Sequence, residues 1–533
     1  MPTILGRMLL DAAVIDEARL AAALDAQRVS RERLGEILVT QGADADAVYR
    51  ALAAQLRLPY AAAPLVASAA AVRAVSHALA RRHRALPLTV SDRRLEVAMA
   101  DPLDLAALDE LQFQTGRRAE PHVAIPAVVD AAIAATYERG RVDEALERIG
   151  SARRASRGAE TDEVRELRRA ADAKPIITLV DLLLERCVAL GASDLHLEPD
   201  GETLRCRARV DGYLRELQRL PLHVAGAVAS RIKVMAGLDI ALRRRPQDGR
   251  ATIRVGERTL GLRVSTLPTV AGEKVVVRLL DPVNAAYTLE RLGMSAELSA
   301  RIERLLRRRH GAILVTGPTG SGKTTTLYAM IGTIDRERLN VVTLEDPVEY
   351  RLSGLAQVQV HTRAGLTFAT ALRSVLRQDP DVVLVGEMRD RETVEVGMAA
   401  ALTGHLVLST LHTVDAPGAV ARLLDMGAPP YLVAGGLTAV LAQRVVRRVC
   451  ARCRGEHQTE ACAECGGAGY RGRVGVFELM EMTESVTDLV MRRASAADLR
   501  RAALRDGMVP MDDDARAKIA AGMTTMLEAG VSA

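Results

Sequence analysis

The run Gly317-Pro-Thr-Gly-Ser-Gly-Lys-Thr324 constrains this chain more than any other stretch. Three glycines let backbone N–H groups converge on a phosphate with no Cβ in the way, and a following helix adds the positive end of its dipole. The apolar run Ala312–Thr316 before it reads as a buried strand, and Thr325–Gly332 after it reads as a helix. Strand, glycine-rich loop and helix in that order are what a phosphate cradle requires. Gly317, Pro318, Thr319, Gly320, Ser321, Gly322, Lys323, Thr324 and Thr325 are therefore expected to hold a nucleoside triphosphate. Lys323 reaches the β- and γ-phosphates in this reading, and the Thr324 hydroxyl holds Mg²⁺. A domain carrying such a loop is α/β, with strands alternating with helices.

At 533 residues the chain exceeds one core, and its length predicts roughly three or four domains. Residues 1–60 contain a helical repeat. Leu5-Gly6-x-x-Leu9 followed by Leu20, Leu24 and Gln27 returns as Leu34-Gly35-x-x-Leu38 followed by Val48, Leu52 and Gln55, offset by 28 to 29 residues. Residues 61–140 read as α+β, with strands near Leu86–Val90 and Leu95–Met99 and a helix capped by Asp104. Residues 141–172 read as a linker of mixed charge. Residues 173–283 form a further α/β unit, with a helix over Ile176–Leu190 and strands such as Leu204–Val210, Ala251–Val255 and Val275–Leu280. The domain with the glycine-rich loop runs over residues 286–533.

Hydrolysis needs acids to hold Mg²⁺ and place water. Three strand-like runs end in such groups: Val341–Leu344 before Glu345 and Asp346, Asp381–Val385 before Gly386 and Glu387, and Leu406–Leu408 before Ser409, Thr410 and His412. In a parallel sheet their C-terminal ends gather beside the loop. Arg263 and Arg278, on candidate strands of the preceding domain, are of the type that neutralises charge on a transferred phosphoryl group. Cys450-x₂-Cys453 and Cys462-x₂-Cys465, eight residues apart, suit a tetrahedral Zn²⁺ in an insert over 450–465. Four thiolates leave zinc no open position, so this site reads as structural. With four of the six cysteines in one cluster, a disulfide framework is not expected. Cys187 reads as core and Cys206 alternates with Arg205 and Arg207 on a strand, so neither suggests chemistry.

Net charge is only +5, with no Trp and 3 Phe, which argues against a nucleic-acid partner that stacks bases. No apolar run approaches the ~18 residues of a membrane span. Asp11, Asp16 and Glu17 among the first leucines exclude a secretory signal, so a cytoplasmic protein is expected.

Taken together, these motifs resemble the secretion ATPases that power type II secretion systems and type IV pili. The resemblance rests on residues 317–328, Glu-Asp-Pro-Val-Glu-Tyr (345–350), Leu-Arg-Gln-Asp-Pro-Asp (376–381), Gly-Glu-Met-Arg-Asp (386–390) and Ser-Thr-Leu-His-Thr (409–413). Upstream it extends to Gly-Ala-Ser-Asp-Leu-His-Leu-Glu-Pro (191–199), Arg-Val-Asp-Gly (209–212) and Pro-Gln-Asp-Gly-Arg (246–250). It implies a RecA-like P-loop ATPase domain preceded by a PAS-like α+β domain and by N-terminal helical and α+β domains. Glu345 would orient water, Glu387 would be the acid near Mg²⁺, His412 would sense the γ-phosphate, and Arg263 and Arg278 would swing in from the preceding domain. ATP, Mg²⁺ and Zn²⁺ are the implied cofactors.

The family works as a homohexamer. It sits peripherally on the inner membrane through the cytoplasmic domain of a secretion or pilus component and an acidic phospholipid surface. The tetracysteine insert and the long N-terminal region point to an assembly motor. Pro-Ile-Ile-Thr-Leu-Val (175–180) and Ser-Thr-Leu-Pro-Thr (265–269) lean towards type II secretion, with pilus extension as the alternative and a nucleic-acid-translocating ring as a remote one. The N-terminal repeat resembles a module that binds cyclic di-GMP in some relatives. Its second copy keeps Arg33, Leu34, Gly35, Leu38, Val39, Gly42 and Gln55, while the first has Ile4 and Ala13 where Arg and Gly stand in the module. Weak cyclic di-GMP binding or protein docking is what that module implies.

Overall fold

The computed structural model of the chain describes residues 4–30, 33–137, 171–281, 288–455, 462 and 464–531. Its contacts divide into two compact units, residues 1–183 together with 456–468, and residues 184–455 together with 469–533. The linker expected over 141–172 lies outside the described residues except for its last two.

In the N-terminal unit the repeat folds as four short helices, Ile4–Asp11, Glu17–Ser30, Leu34–Thr40 and Ala45–Leu56. Equivalent positions of the two copies, Leu5 with Leu34 and Leu9 with Leu38, share one buried core. Three strands follow: β1 (Ala85–Val90), β2 (Arg94–Met99) and β3 (Arg118–Val123). β1 and β2 are antiparallel, and β2 and β3 are parallel. The parallel pair needs a crossover, supplied by helix Leu105–Thr115. Asp104 caps that helix, accepting from Ala107 N at 3.0 Å.

The second unit holds two sheets. The first has order β6-β5-β4-β9-β8-β7 and is antiparallel throughout. Its strands are β4 (Asp194–Pro199), β5 (Thr203–Val210), β6 (Tyr213–Pro221), β7 (Gln247–Val255), β8 (Arg258–Thr269) and β9 (Gly272–Leu280). Along β5, Leu204, Cys206, Ala208 and Val210 are buried while Arg205, Arg207 and Arg209 take the opposite face. β6 escapes the sequence reading because a bulge between Cys206 and Arg207 breaks the register it shares with β5.

The second sheet has seven strands in order β12-β11-β13-β14-β10-β15-β16. They are β10 (Gly311–Thr316), β11 (Val341–Glu345), β12 (Ala356–Gln359), β13 (Val382–Val385), β14 (Leu406–Leu411), β15 (Leu437–Val449) and β16 (Tyr470–Glu481). All neighbours are parallel except β15 and β16. Every residue of β10, β11, β13 and β14 is buried, as expected where helices cover both faces. Alternate residues feed two cores: Ala312 and Leu314 enter one, Ile313 and Val315 the other.

The two sheets touch at both ends of the smaller one. At one edge the β5–β6 turn docks, with Gly472 N donating to Asp211 Oδ2 at 2.9 Å. Beside it the Arg447 guanidinium lies between the rings of Tyr213 and Tyr470, 4.2 Å from each centroid, and pairs with Glu528. At the other edge Arg250 Nη2 donates to Gln359 Oε1 at 3.2 Å.

Candidate active site

The glycine-rich loop leaves β10 and enters helix Lys323–Gly332. A Cβ on Gly317 would lie 2.6 Å from Ser321 Oγ and collide with the Gln443 carbonyl, so only glycine closes the loop. Gly322 caps the helix at φ 85°, a conformation that disfavours a side chain. Thr326 N closes the first turn on the Gly322 carbonyl at 3.0 Å, so the helix itself provides no acceptor for the N–H groups of Lys323, Thr324 and Thr325. Those donors fit an anionic phosphate.

Lys323 is buried and donates to the carbonyls of Gly317 at 2.9 Å and Pro318 at 3.1 Å. Burial lowers its pKa, and the Glu387 charge opposes that shift. His412 Nδ1 lies 3.4 Å from Lys323 Nζ, and His412 Nε2 lies 3.7 Å from Glu387 Oε2. Burial and the Lys323 charge hold the His412 imidazole below its usual range, so it is neutral at neutral pH. Glu387 also pairs with Arg389 at 2.5 Å. The structure therefore brings Lys323, Glu387 and His412 into one cluster, as the strand order β13-β14-β10 demands.

Glu345 sits one strand further along, at the end of β11. Its carboxylate is buried and faces three donors: Tyr328 OH on Oε2, Thr343 Oγ1 on Oε1 at 2.6 Å, and Gln357 Nε2 on Oε1 at 3.2 Å. Burial and the Glu345 charge push the Tyr328 phenol far above its usual pKa, so it stays a donor. Ser409 Oγ donates to Val385 O at 2.6 Å and Thr410 Oγ1 to Gly386 O at 2.7 Å, which clamps the ends of β13 and β14 together.

Arg263 and Arg278 are not drawn into this cluster. They stand in one transverse row of the antiparallel sheet, in the order Arg209, Asp194, Arg278, Arg263, Arg250. Arg278 Nε pairs with Asp194 Oδ1 at 3.0 Å. Among the described residues no ion pair joins Arg263 or Arg278 to an acid of the seven-stranded domain. The row ends at Arg250, whose partner Gln359 is the register mate of Glu345.

The ligand atoms of Cys450, Cys453, Cys462 and Cys465 all lie within 4.8 Å of one another. Zinc–sulfur bonds of about 2.3 Å place tetrahedral thiolates about 3.8 Å apart, so the group fits such an ion. Cys187 is fully buried, as expected of a core residue, and so is Cys206.

Two residues at the site are given no role by the sequence. Gln443 of β15 is buried and its Nε2 donates to Ser321 O, which braces the loop from behind. Tyr328 looks like an ordinary helix residue until its hydroxyl meets Glu345.

The sequence model described as type II/IV secretion system protein matches residues 169–530, and that of the MshEN domain matches residues 56–143. The type IV pilus assembly ATPase PilB of Myxococcus xanthus is 39% identical over 98% of both chains. The type II secretion system protein E of Pseudomonas aeruginosa is 41% identical over 88% of this chain and 97% of that one. The type II secretion system protein HxcR of the same organism is 48% identical over 69% of this chain and 79% of that one. The solved ATPase DotB of Legionella pneumophila shares the fold, with a TM-score of 0.53 at 23% identity over 66% of this chain and 94% of that chain. The chain belongs to the type II/IV secretion system protein family and is an ATP-hydrolysing enzyme that uses ATP and Mg²⁺.

Proposed function

We propose that this chain is the assembly motor of a type II secretion system, converting ATP hydrolysis into pseudopilus assembly and protein export. The observation that carries the site assignment is the approach of Lys323, Glu387 and His412 at adjacent strand ends. Lys323 and the N–H groups of the loop bind the β- and γ-phosphates. Thr324 and Glu387 would hold Mg²⁺, which would neutralise charge on the phosphates. His412, neutral and half exposed, faces the γ-phosphate. Glu345 orients the attacking water once Tyr328 and Gln357 release its carboxylate. Arg263 and Arg278 reach the phosphates when the six-stranded domain closes, and Arg278 leaves Asp194 to do so.

In this reading six copies form the working ring. No helix among the described residues is long and apolar enough to cross a membrane. In the same reading the N-terminal unit supplies attachment, through the cytoplasmic domain of an inner-membrane component beside acidic phospholipid. Docking is preferred to cyclic di-GMP binding because Arg33, which a dinucleotide phosphate would need, is paired with Asp101. Pilus extension is the second reading, favoured by the near-complete span of the pilus ATPase match.

The test is ATP turnover with and without acidic vesicles plus the partner's cytoplasmic domain, beside Glu387→Gln. Stimulation by both, lost in the variant, is expected. Turnover that ignores them and rises with nucleic acid would overturn the secretion reading.

The four cysteines are proposed to hold one structural Zn²⁺. Purified protein is expected to carry one zinc per chain by elemental analysis, and Cys462→Ser to lose it. A full zinc complement in that variant would exclude the tetrathiolate site.

A further inference from the structure

His412 has little of its own to hold it in place. Its side chain is 51% exposed, and its two polar neighbours lie at 3.4 and 3.7 Å, at or beyond the limit of a good hydrogen bond. Its position must come from the backbone on either side, and the turn that follows it is tethered twice.

The first tether is Thr413. Its N–H donates to Thr316 Oγ1 at 2.9 Å, and the two hydroxyls meet at 2.7 Å, directly before the phosphate loop. The second is Asp415. One carboxylate oxygen caps helix Ala416–Asp425, accepting from Gly418 N at 2.7 Å. The other accepts from Arg500 Nη2 at 2.9 Å. Arg500 comes from helix Ala496–Arg505 in the C-terminal helical segment, far along the chain. Its Nη1 donates to Glu478 Oε2 at 3.3 Å. Glu478 is buried on β16, and it also accepts from Ala416 N at 3.1 Å and Met511 N at 3.3 Å. A buried carboxylate with charge-assisted partners is a stiff anchor.

We propose that Arg500 is a positioning residue for ATP hydrolysis. Through Asp415 and Glu478 it fixes the turn that presents His412, and so makes the C-terminal helices part of the γ-phosphate site. The inference rests on the reading of His412 as a site residue. A displacement of about 1 Å at a reacting group can cost up to a hundredfold in rate. Helix Ala496–Arg505 thereby gains leverage over the chemistry without touching substrate.

The experiment compares steady-state kinetics of the full chain with Arg500→Gln, Arg500→Lys and Asp415→Asn, each with and without His412→Ala. Asparagine retains an oxygen for the cap but offers Arg500 a weaker partner, so that variant severs the tether with the helix start intact. Arg500→Gln and Asp415→Asn are expected to lower kcat by about tenfold with the KM for ATP nearly unchanged, as for an interaction that acts on the chemical step. Arg500→Lys is expected to recover part of the loss. Added to His412→Ala, neither is expected to slow turnover further, because groups that act as a unit are not additive. Equal losses with and without His412 would overturn the inference, as would normal kcat in both tether variants while His412→Ala is slow. If His412→Ala itself turns over normally, the role of His412 fails and the inference falls with it. Should Arg500→Gln not fold, Asp415→Asn decides.

Discussion

Lys323→Ala is expected to reduce ATP turnover by about 100- to 1,000-fold, the scale for removing one preorganised donor from developing charge. The lysine is buried at the mouth of its own loop and donates to the loop carbonyls of Gly317 and Pro318, with His412 Nδ1 at 3.4 Å. The Glu387 carboxylate acts on that ammonium across the cluster and favours its charged form, against the effect of burial. Alanine leaves the helix N-terminus and its N–H groups in place, so nucleotide binding should weaken less than turnover. The loop geometry should survive, because Gly317 packing and the Gln443 brace do not involve the ammonium. Steady-state ATPase assays beside ADP titration separate the two effects. Turnover within tenfold of wild type would remove Lys323 from the chemistry.

Glu273→Ala is expected to produce the largest loss of stability. Lys233 is fully buried, yet it carries a charged end. That ammonium is satisfied by an ion pair to Glu273 and by donation to the Leu242 carbonyl at 3.0 Å. Gln247 Nε2 donates to the same carbonyl and to that of Asp239, so the segment between helix Ala225–Met235 and β7 is wound around this lysine. Removing the carboxylate strands a positive charge in the interior, at a cost of about 3–5 kcal/mol. Replacing both partners, as Lys233→Met with Glu273→Leu, should recover most of it, because an apolar pair has no charge to desolvate. Hydrogen exchange over residues 225–280 reads the change locally, where a global melt of several domains would blur it. Unchanged protection in Glu273→Ala would show that the pair contributes little.

What the sequence makes legible follows from how local each signal is. β10, β11, β13 and β14 are continuous apolar runs ending in polar residues, and parallel strands covered on both faces produce that pattern. Glu387 and His412 could be placed beside Lys323 for this reason. Glu345 was placed on the right strand, but its enclosure by Tyr328, Thr343 and Gln357 depends on side chains from three separate segments. The arginine row is a matter of register across five strands, which no spacing along the chain encodes. Arg500 lies on a helix whose other arginines are solvated, and nothing in its neighbourhood marks it before Asp415 and Glu478 arrive from elsewhere in the fold. Local chemistry was readable; long-range pairing was not.

The docking of the six-stranded sheet at both of its edges has a mechanical consequence. The β5–β6 turn rests on Gly472 and Arg447, and Arg250 of β7 rests on Gln359. Between these two abutments lie four to five interstrand spacings, a lever on the order of 20 Å at ~4.8 Å per strand. A pivot of about 10° on either abutment lifts the opposite end by about 3.5 Å, enough to part a hydrogen bond. A tilt of the sheet would therefore have to break one of the two supports, and Arg263 and Arg278 lie on the span between them.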